Sequence, residues 1–146
     1  LLLPGMEGVK LLGFIILVTK CGDIGGLLIG SKLGKHPLLP RVSPNKSVEG
    51  TLGSLIFSAM IAVIFRSFLP VEINFPLWQI ALMGLFFGAL GQLGDLSESL
   101  IKRDCGVKDS GKLLPGLGGV LDMIDSLLFS APAFYLYMSS TIKSIH

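Results

Sequence analysis

The sequence predicts an all-α integral membrane protein, a polytopic transmembrane helix bundle with about four spans in 146 residues. Three observations carry that prediction. Apolar residues make up 51% of the chain and charged ones only 15%, where a soluble domain carries about a quarter charged residues. Mean hydropathy is +0.74. Four apolar segments come close to the ~20 residues that a helix needs to cross a bilayer. A chain of this length allows one domain.

The first apolar segment covers residues 11–33 and is interrupted by Lys20, Cys21, Gly22 and Asp23. The second covers residues 51–69. The third covers residues 77–96, with Trp78 near its start as an interfacial anchor. The fourth covers residues 119–142, with Asp122 and Asp125 in its first turns. Pro132 inside it removes a helix hydrogen bond and is expected to kink the span. Two long loops carry the positive charge. Residues 31–50 hold Lys32, Lys35, Arg41 and Lys46, and residues 98–118 hold Lys102, Arg103, Lys108 and Lys112. Together these are two-thirds of the 12 Lys and Arg residues. The positive-inside tendency therefore puts both loops on the cytoplasmic side, and four spans allow that without forcing.

Leu39-Pro40 and Ser43-Pro44 give the first loop irregular backbone. Pro115-Gly116 and Gly118-Gly119 mark a turn ahead of the fourth segment. Gly22, Gly26, Gly30 and Gly34 recur four apart, and Gly84, Gly88 and Gly91 make a second stripe. Such stripes let helix backbones approach closely in lipid, so helix packing is their preferred reading. Cys21 and Cys105 lie far apart without metal-ligand spacing and read as reduced thiols. The chain opens on Leu1 and shows no basic start and cleavage site of a signal peptide. An upstream part is expected.

Three acids sit where a membrane helix should not want them. Asp95 ends the third segment, and Asp122 and Asp125 open the fourth. A carboxylate at membrane depth costs a few kcal/mol even on lenient insertion scales. Asp122 and Asp125 are three apart and share a helix face. Two aimed carboxylates suit a hard divalent cation such as Mg²⁺, with Asp95 as a further ligand. Taken alone, the pair reads equally well as helix N-terminal acids stabilised by the macrodipole.

The surrounding residues favour the metal. Asp95, Ser99 and Lys102 fall on one stripe if the third helix continues past the membrane. Lys108 and Lys112 supply positive charge, and residues 115–119 bring bare backbone N–H groups to a helix start, an anion site. Metal, cations and a glycine-rich helix start describe phosphoryl or nucleotidyl transfer. Any single basic residue reads as well as a cytoplasmic anchor.

The run Ser97-Glu98-Ser99-Leu100-Ile101-Lys102-Arg103, then Lys108-Asp109, then residues 114–125 ending Asp122-Met123-Ile124-Asp125, resembles the signature of the phosphatidate cytidylyltransferases. A second region, Gly22-Asp23-Ile24-Gly25, Gly34-Lys35 and residues 43–50, resembles the family's Asp-x-Gly step and Ser-Pro-x-Lys loop. Leu117 stands where the family usually has His, and Met123 where it usually has Arg. Leu117 cannot touch phosphate or move a proton; Met123 cannot brace a phosphate.

The resemblance implies that residues 1–146 are the C-terminal catalytic transmembrane domain of a bacterial inner-membrane enzyme, its active site facing the cytoplasm. It implies that CTP and phosphatidate yield CDP-diacylglycerol and pyrophosphate. Asp95, Asp122 and Asp125 are expected to hold Mg²⁺, with a second cation such as K⁺ entertained beside it. Lys102, Arg103 and Lys108 are expected to hold phosphates, and Asp109 to orient a cation or bind metal. Asp23, Ser43, Lys46, Glu49, Ser97, Gly116, Gly118 and Gly119 complete the expected substrate pocket. Membrane lipid and a second copy of the chain are the expected partners, and no nucleic acid is. Two rival readings stand beside this one. The first is a CTP-dependent lipid kinase, or a cytidylyltransferase for another lipid. The second is an ion or solute transporter fragment whose path is Asp23, Asp95, Asp122 and Asp125.

Overall fold

A computed structural model describes residues 6–40, 43–69, 75–106 and 125–145. Among the described residues, four α-helices carry the fold: α1 (Met6–Leu33), α2 (Val48–Ile64), α3 (Leu77–Asp104) and α4 (Leu127–Ile145). The chain is thus helical as expected, with one addition. The first polar loop contains a small antiparallel hairpin, β1 (Pro37–Leu39) paired with β2 (Ser43–Ser47). Its register slips between Pro37 and Leu39. The prolines there imply extended backbone, but nothing local to the loop announces pairing.

Helix α1 corrects one expectation. It runs unbroken through Lys20, Cys21, Gly22 and Asp23. The two charged residues pair with each other one turn apart, Lys20 Nζ lying 3.8 Å from Asp23 Oδ2, so neither needs a break in the helix to reach a partner. Helix α2 starts three residues earlier than the apolar segment does. The Ser47 hydroxyl accepts the Gly50 N–H at 3.1 Å and caps it. Helix α3 continues past the apolar segment to Asp104, where Gly106, at φ 68°, follows as the reversal. Asp125 stands just ahead of α4, not inside it.

Two of the helices, over residues Gly8–Leu33 and Leu77–Asp104, are long and apolar enough to cross a membrane. Helix α2 has 17 residues, a rise of about 26 Å, somewhat short of the ~30 Å hydrocarbon core. Outward faces are apolar as well as inward ones: Ile56 and Ile64 of α2, Trp78 and Phe86 of α3 and Leu136 of α4 are all exposed. Helices apolar all round belong in lipid.

The glycine stripes do what close packing requires. A Cβ on Gly22 would collide with the Ser58 hydroxyl of α2, and one on Gly26 would lie 3.1 Å from the Gly50 carbonyl oxygen. In the second stripe Gly84 and Gly88 also meet α2, a Cβ on Gly84 lying 2.7 Å from Ala59 Cα, while Gly91 faces Thr19 and Ser126. Helix α2 is therefore wedged between α1 and α3 at backbone distance. Both stripes are occupied within the chain, as expected of helix packing.

The apolar core lies at one end of this bundle. Phe14, Ile15 and Val18 of α1 meet Ile80, Met83 and Phe87 of α3 and Phe134 and Met138 of α4. Phe87 sits edge-on to Phe134 with ring centroids 5.2 Å apart. Gln79 donates to the Tyr137 hydroxyl at 2.9 Å, tying the start of α3 to the far half of α4. Buried polar side chains begin directly beyond it, at Thr19 of α1 and at Gln92 of α3. Gly22→Leu is expected to lower the thermal midpoint in detergent sharply, because α1 and α2 must separate. Gly106→Ala, where nothing lies within 4 Å of the added carbon, should cost only the ~1–2 kcal/mol of a left-handed non-glycine residue.

Candidate active site

Beyond the apolar core the helix faces turn polar, and a cavity of about 610 Å³ opens there. Its walls come from α1 (Lys20, Asp23), from the end of β2 and the start of α2 (Lys46, Ser47, Thr51), from α3 (Gln92, Asp95) and from Asp125 ahead of α4. Gly26, Gly30 and Gly50 let those walls stand close.

Ion pairs tie the walls together. Lys20 donates to Asp125 Oδ1 at 3.4 Å and lies 3.8 Å from Asp23. Lys46 forms an ion pair with Asp95. The side chains of Asp95 and Asp125 face each other, and Ser126 lies against Asp23. Asp125 is brought in by a glycine. A Cβ on Gly94 would overlap the Asp125 carbonyl oxygen, so only glycine before Asp95 lets that backbone seat itself. The Ser126 N–H then donates to Asp125 Oδ1 at 2.6 Å. Below the acids, Gln92 donates to the Ser54 hydroxyl at 2.6 Å and Ser58 to the Val18 carbonyl at 3.1 Å. This buried polar layer floors the cavity.

Of the residues singled out in the sequence, the structure brings Asp23, Lys46, Asp95 and Asp125 into one cavity. Lys108, Asp109, Gly116, Gly118, Gly119 and Asp122 lie outside the described residues. Five others, Glu49 among them, are placed elsewhere. Lys102 pairs with the buried Glu98 at 2.8 Å, two turns along α3 from Asp95, and Arg103 is exposed beside it. Ser97 donates to the Leu93 carbonyl of its own helix at 2.7 Å. Ser43 opens β2, half-buried.

Glu49 holds the hairpin. It accepts the Lys35 and His36 N–H groups at 3.1 and 3.3 Å and meets the His36 ring at 2.7 Å. Those bonds hold its carboxyl down at about 2, against an ordinary 4.5. Two cavity residues that sequence reasoning left without a role are Lys20 and Gln92. Lys20 carries the clearer signal, since a lone cation within an apolar segment demands a counter-ion. Gln92 carries none beyond its place on the glycine face of α3.

The donor set suits a hard divalent cation, since Asp95 and Asp125 are carboxylates presented from two elements to one cavity. Among the described residues no cluster of three acid, His or Cys side chains converges as a ready metal cage. The ammonium groups of Lys20 and Lys46 are interleaved with the acids.

Comparison with known proteins identifies the family of the chain. The profile of the Cytidylyltransferase family matches residues 3–141. A phosphatidate cytidylyltransferase of Staphylococcus saprophyticus is 44% identical over 126 residues, 86% of this chain and 48% of that protein. One of Bacillus subtilis is 41% identical over 132 residues, 90% of this chain and 48% of that protein. A protein of Escherichia coli K12 named uncharacterized protein YnbB is 45% identical over 131 residues, 90% of this chain and 43% of its own. The chain spans about half the length of the curated relatives it matches.

The Glu49 clasp makes a prediction about pH. A carboxylate whose folded pKa lies below its ordinary value stabilises the fold above the ordinary value and loses that contribution as pH falls through the folded one. Hairpin closure should therefore weaken as pH drops from about 4.5 towards about 2. At neutral pH, Glu49→Gln should speed amide exchange at Lys35 and His36 while leaving the α3 amides unchanged.

Proposed function

Because the chain belongs to the cytidylyltransferase family, we propose that it is the catalytic half of an enzyme that makes CDP-diacylglycerol from CTP and phosphatidate. The observation that carries this reading is the meeting of Asp23, Asp95 and Asp125 with Lys20 and Lys46 in one cavity. A transporter path would explain the acids but not the lysines interleaved with them. A CTP-dependent kinase would need a different bond broken in CTP, and nothing in the cavity favours it.

In the proposed reaction a phosphatidate oxygen attacks the α-phosphorus of CTP. The new oxygen–phosphorus bond forms as the bond to the β-phosphate bridging oxygen breaks, and pyrophosphate departs with that electron pair. The protein has little covalent work to do; it holds two polyanions in line and balances charge. Asp95 and Asp125, with Asp122, would hold Mg²⁺. When bound, that ion would neutralise charge developing on the transferred phosphoryl group. Lys46, carried on β2, reaches across to Asp95 and is placed to meet a phosphate at the same point. Lys102, Arg103 and Lys108 would extend the cationic surface along the end of α3. Asp109 would orient one of those cations, and Gly116, Gly118 and Gly119 would offer backbone N–H groups to phosphate.

The wider setting belongs to the same proposal. All four helices span the bacterial inner membrane, with the cavity at the cytoplasmic side, and two copies of the chain associate. The lipid substrate enters with its head group in the cavity and its tails in the bilayer. The intact protein in detergent, given CTP, phosphatidate and Mg²⁺, is expected to release pyrophosphate and form a CDP-lipid identifiable by mass spectrometry. Release of CDP instead would identify a kinase. Asp125→Asn should lower turnover at least about a hundredfold, the scale of losing one preorganised charge contact in a transfer site. Intact turnover in that variant would exclude Asp125 from the site.

A further inference from the structure

Lys20 has no part in the mechanism above, yet it lines the cavity. It sits near the middle of α1, in an otherwise apolar stretch. Its Nζ lies 3.4 Å from Asp125 Oδ1 and 3.8 Å from Asp23 Oδ2, and about a third of its side chain faces open space. It lies outside both runs that resemble the family signature, which start at Gly22 and Ser97. An ammonium placed between two carboxylates from different elements lowers the cost of holding them away from bulk water. The same ammonium obstructs a divalent cation. Asp125 Oδ1 cannot be fully engaged by both, and the two like charges would stand within a few ångströms of each other. A flexible four-carbon stem lets the ammonium move aside without unwinding the helix.

We propose that Lys20 is a resident counter-cation: it holds Asp125 against Asp23 until a divalent cation displaces it from Asp125 and turns it into the cavity, towards phosphate. This rests on the reading of Asp125 as a metal ligand. The pair Lys46–Asp95 faces the same space from the opposite wall, so displacement leaves Lys20 with a cavity containing one neutralised acid and room for an anion.

The test uses Mn²⁺ as the probe, its binding read by electron paramagnetic resonance on the intact protein in detergent without nucleotide. Lys20→Met removes the competitor and should bind Mn²⁺ about fivefold tighter or more, the factor expected from one like charge in a solvated site. Its metal-free thermal midpoint should fall and Mn²⁺ should restore it. Lys20→Arg, which keeps the charge, should show no such gain. Unchanged or weaker Mn²⁺ binding in folded Lys20→Met overturns the inference. A measurement on the unaltered protein does not depend on that variant folding. Mn²⁺ should raise the labelling of Lys20 by a small amine-reactive reagent, read by mass spectrometry, and labelling that stays level or falls overturns the inference as well. Asp125→Asn separates the two claims. If it binds Mn²⁺ as the unaltered protein does, the metal reading fails and this one with it. If it loses Mn²⁺ while Lys20→Met shows no gain, only the role of Lys20 fails.

Discussion

Carboxylates inside a helix bundle must be matched by positive charge, and the arrangement of this chain around its cavity follows from that requirement. Asp23, Asp95 and Asp125 come from three separate elements. Unmatched, each would cost several kcal/mol in a low-dielectric setting. Lys20 answers two of them from the middle of α1, and Lys46 answers the third from the end of β2. The hairpin is thus fixed to the bundle at its base, through the Lys46–Asp95 ion pair and through Glu49, which holds Lys35 and His36. A break in either link would loosen the wall that carries Lys46.

Charge matching at this range depends on backbones that stand unusually close. The glycines of α1 and α3 meet serines and glycines of α2, with hydroxyls taking the place that methyl groups hold elsewhere. Ser54 and Ser58 serve twice. They are small enough for the close approach, and their hydroxyls join the polar floor through Gln92 and the Val18 carbonyl. In lipid, where packing and hydrogen bonds associate helices without help from water exclusion, such residues supply both. The aromatic core at the opposite end, built on Phe14, Phe87 and Phe134, fills space where no chemistry is needed.

The main divisions of the fold were legible because they depend on composition and spacing. Apolar runs marked the helices, and four-residue glycine spacing marked their contact faces. Asp23, Lys46 and Asp125 could be grouped because each sits in a run with family spacing, and Asp95 because an acid ending an apolar segment needs a partner. What was hidden has physical reasons. Lys20 and Asp23 pair with each other inside an unbroken α1, and Lys20 also meets a carboxylate 105 residues away, which no local pattern reveals. The hairpin pairs prolines and short polar residues that carry little strand preference. The role of Glu49 depends on His36, which only the hairpin's reversal brings near. Gln92 shows its role only through its contact with Ser54.

Gly94 shows how packing and chemistry meet at one residue. It precedes Asp95, and the Asp125 carbonyl oxygen fills the place where its side chain would be. That one contact sets the entry of α4 against α3. It therefore sets the distance between two acids that are remote in sequence. It also aligns the first N–H of the α4 turn with Asp125 Oδ1, the same oxygen that Lys20 meets. A larger residue at 94 would move no charged group directly, yet it would push Asp125 from Asp95 and from Lys20 together. The glycine is as much a part of the site as the carboxylate beside it.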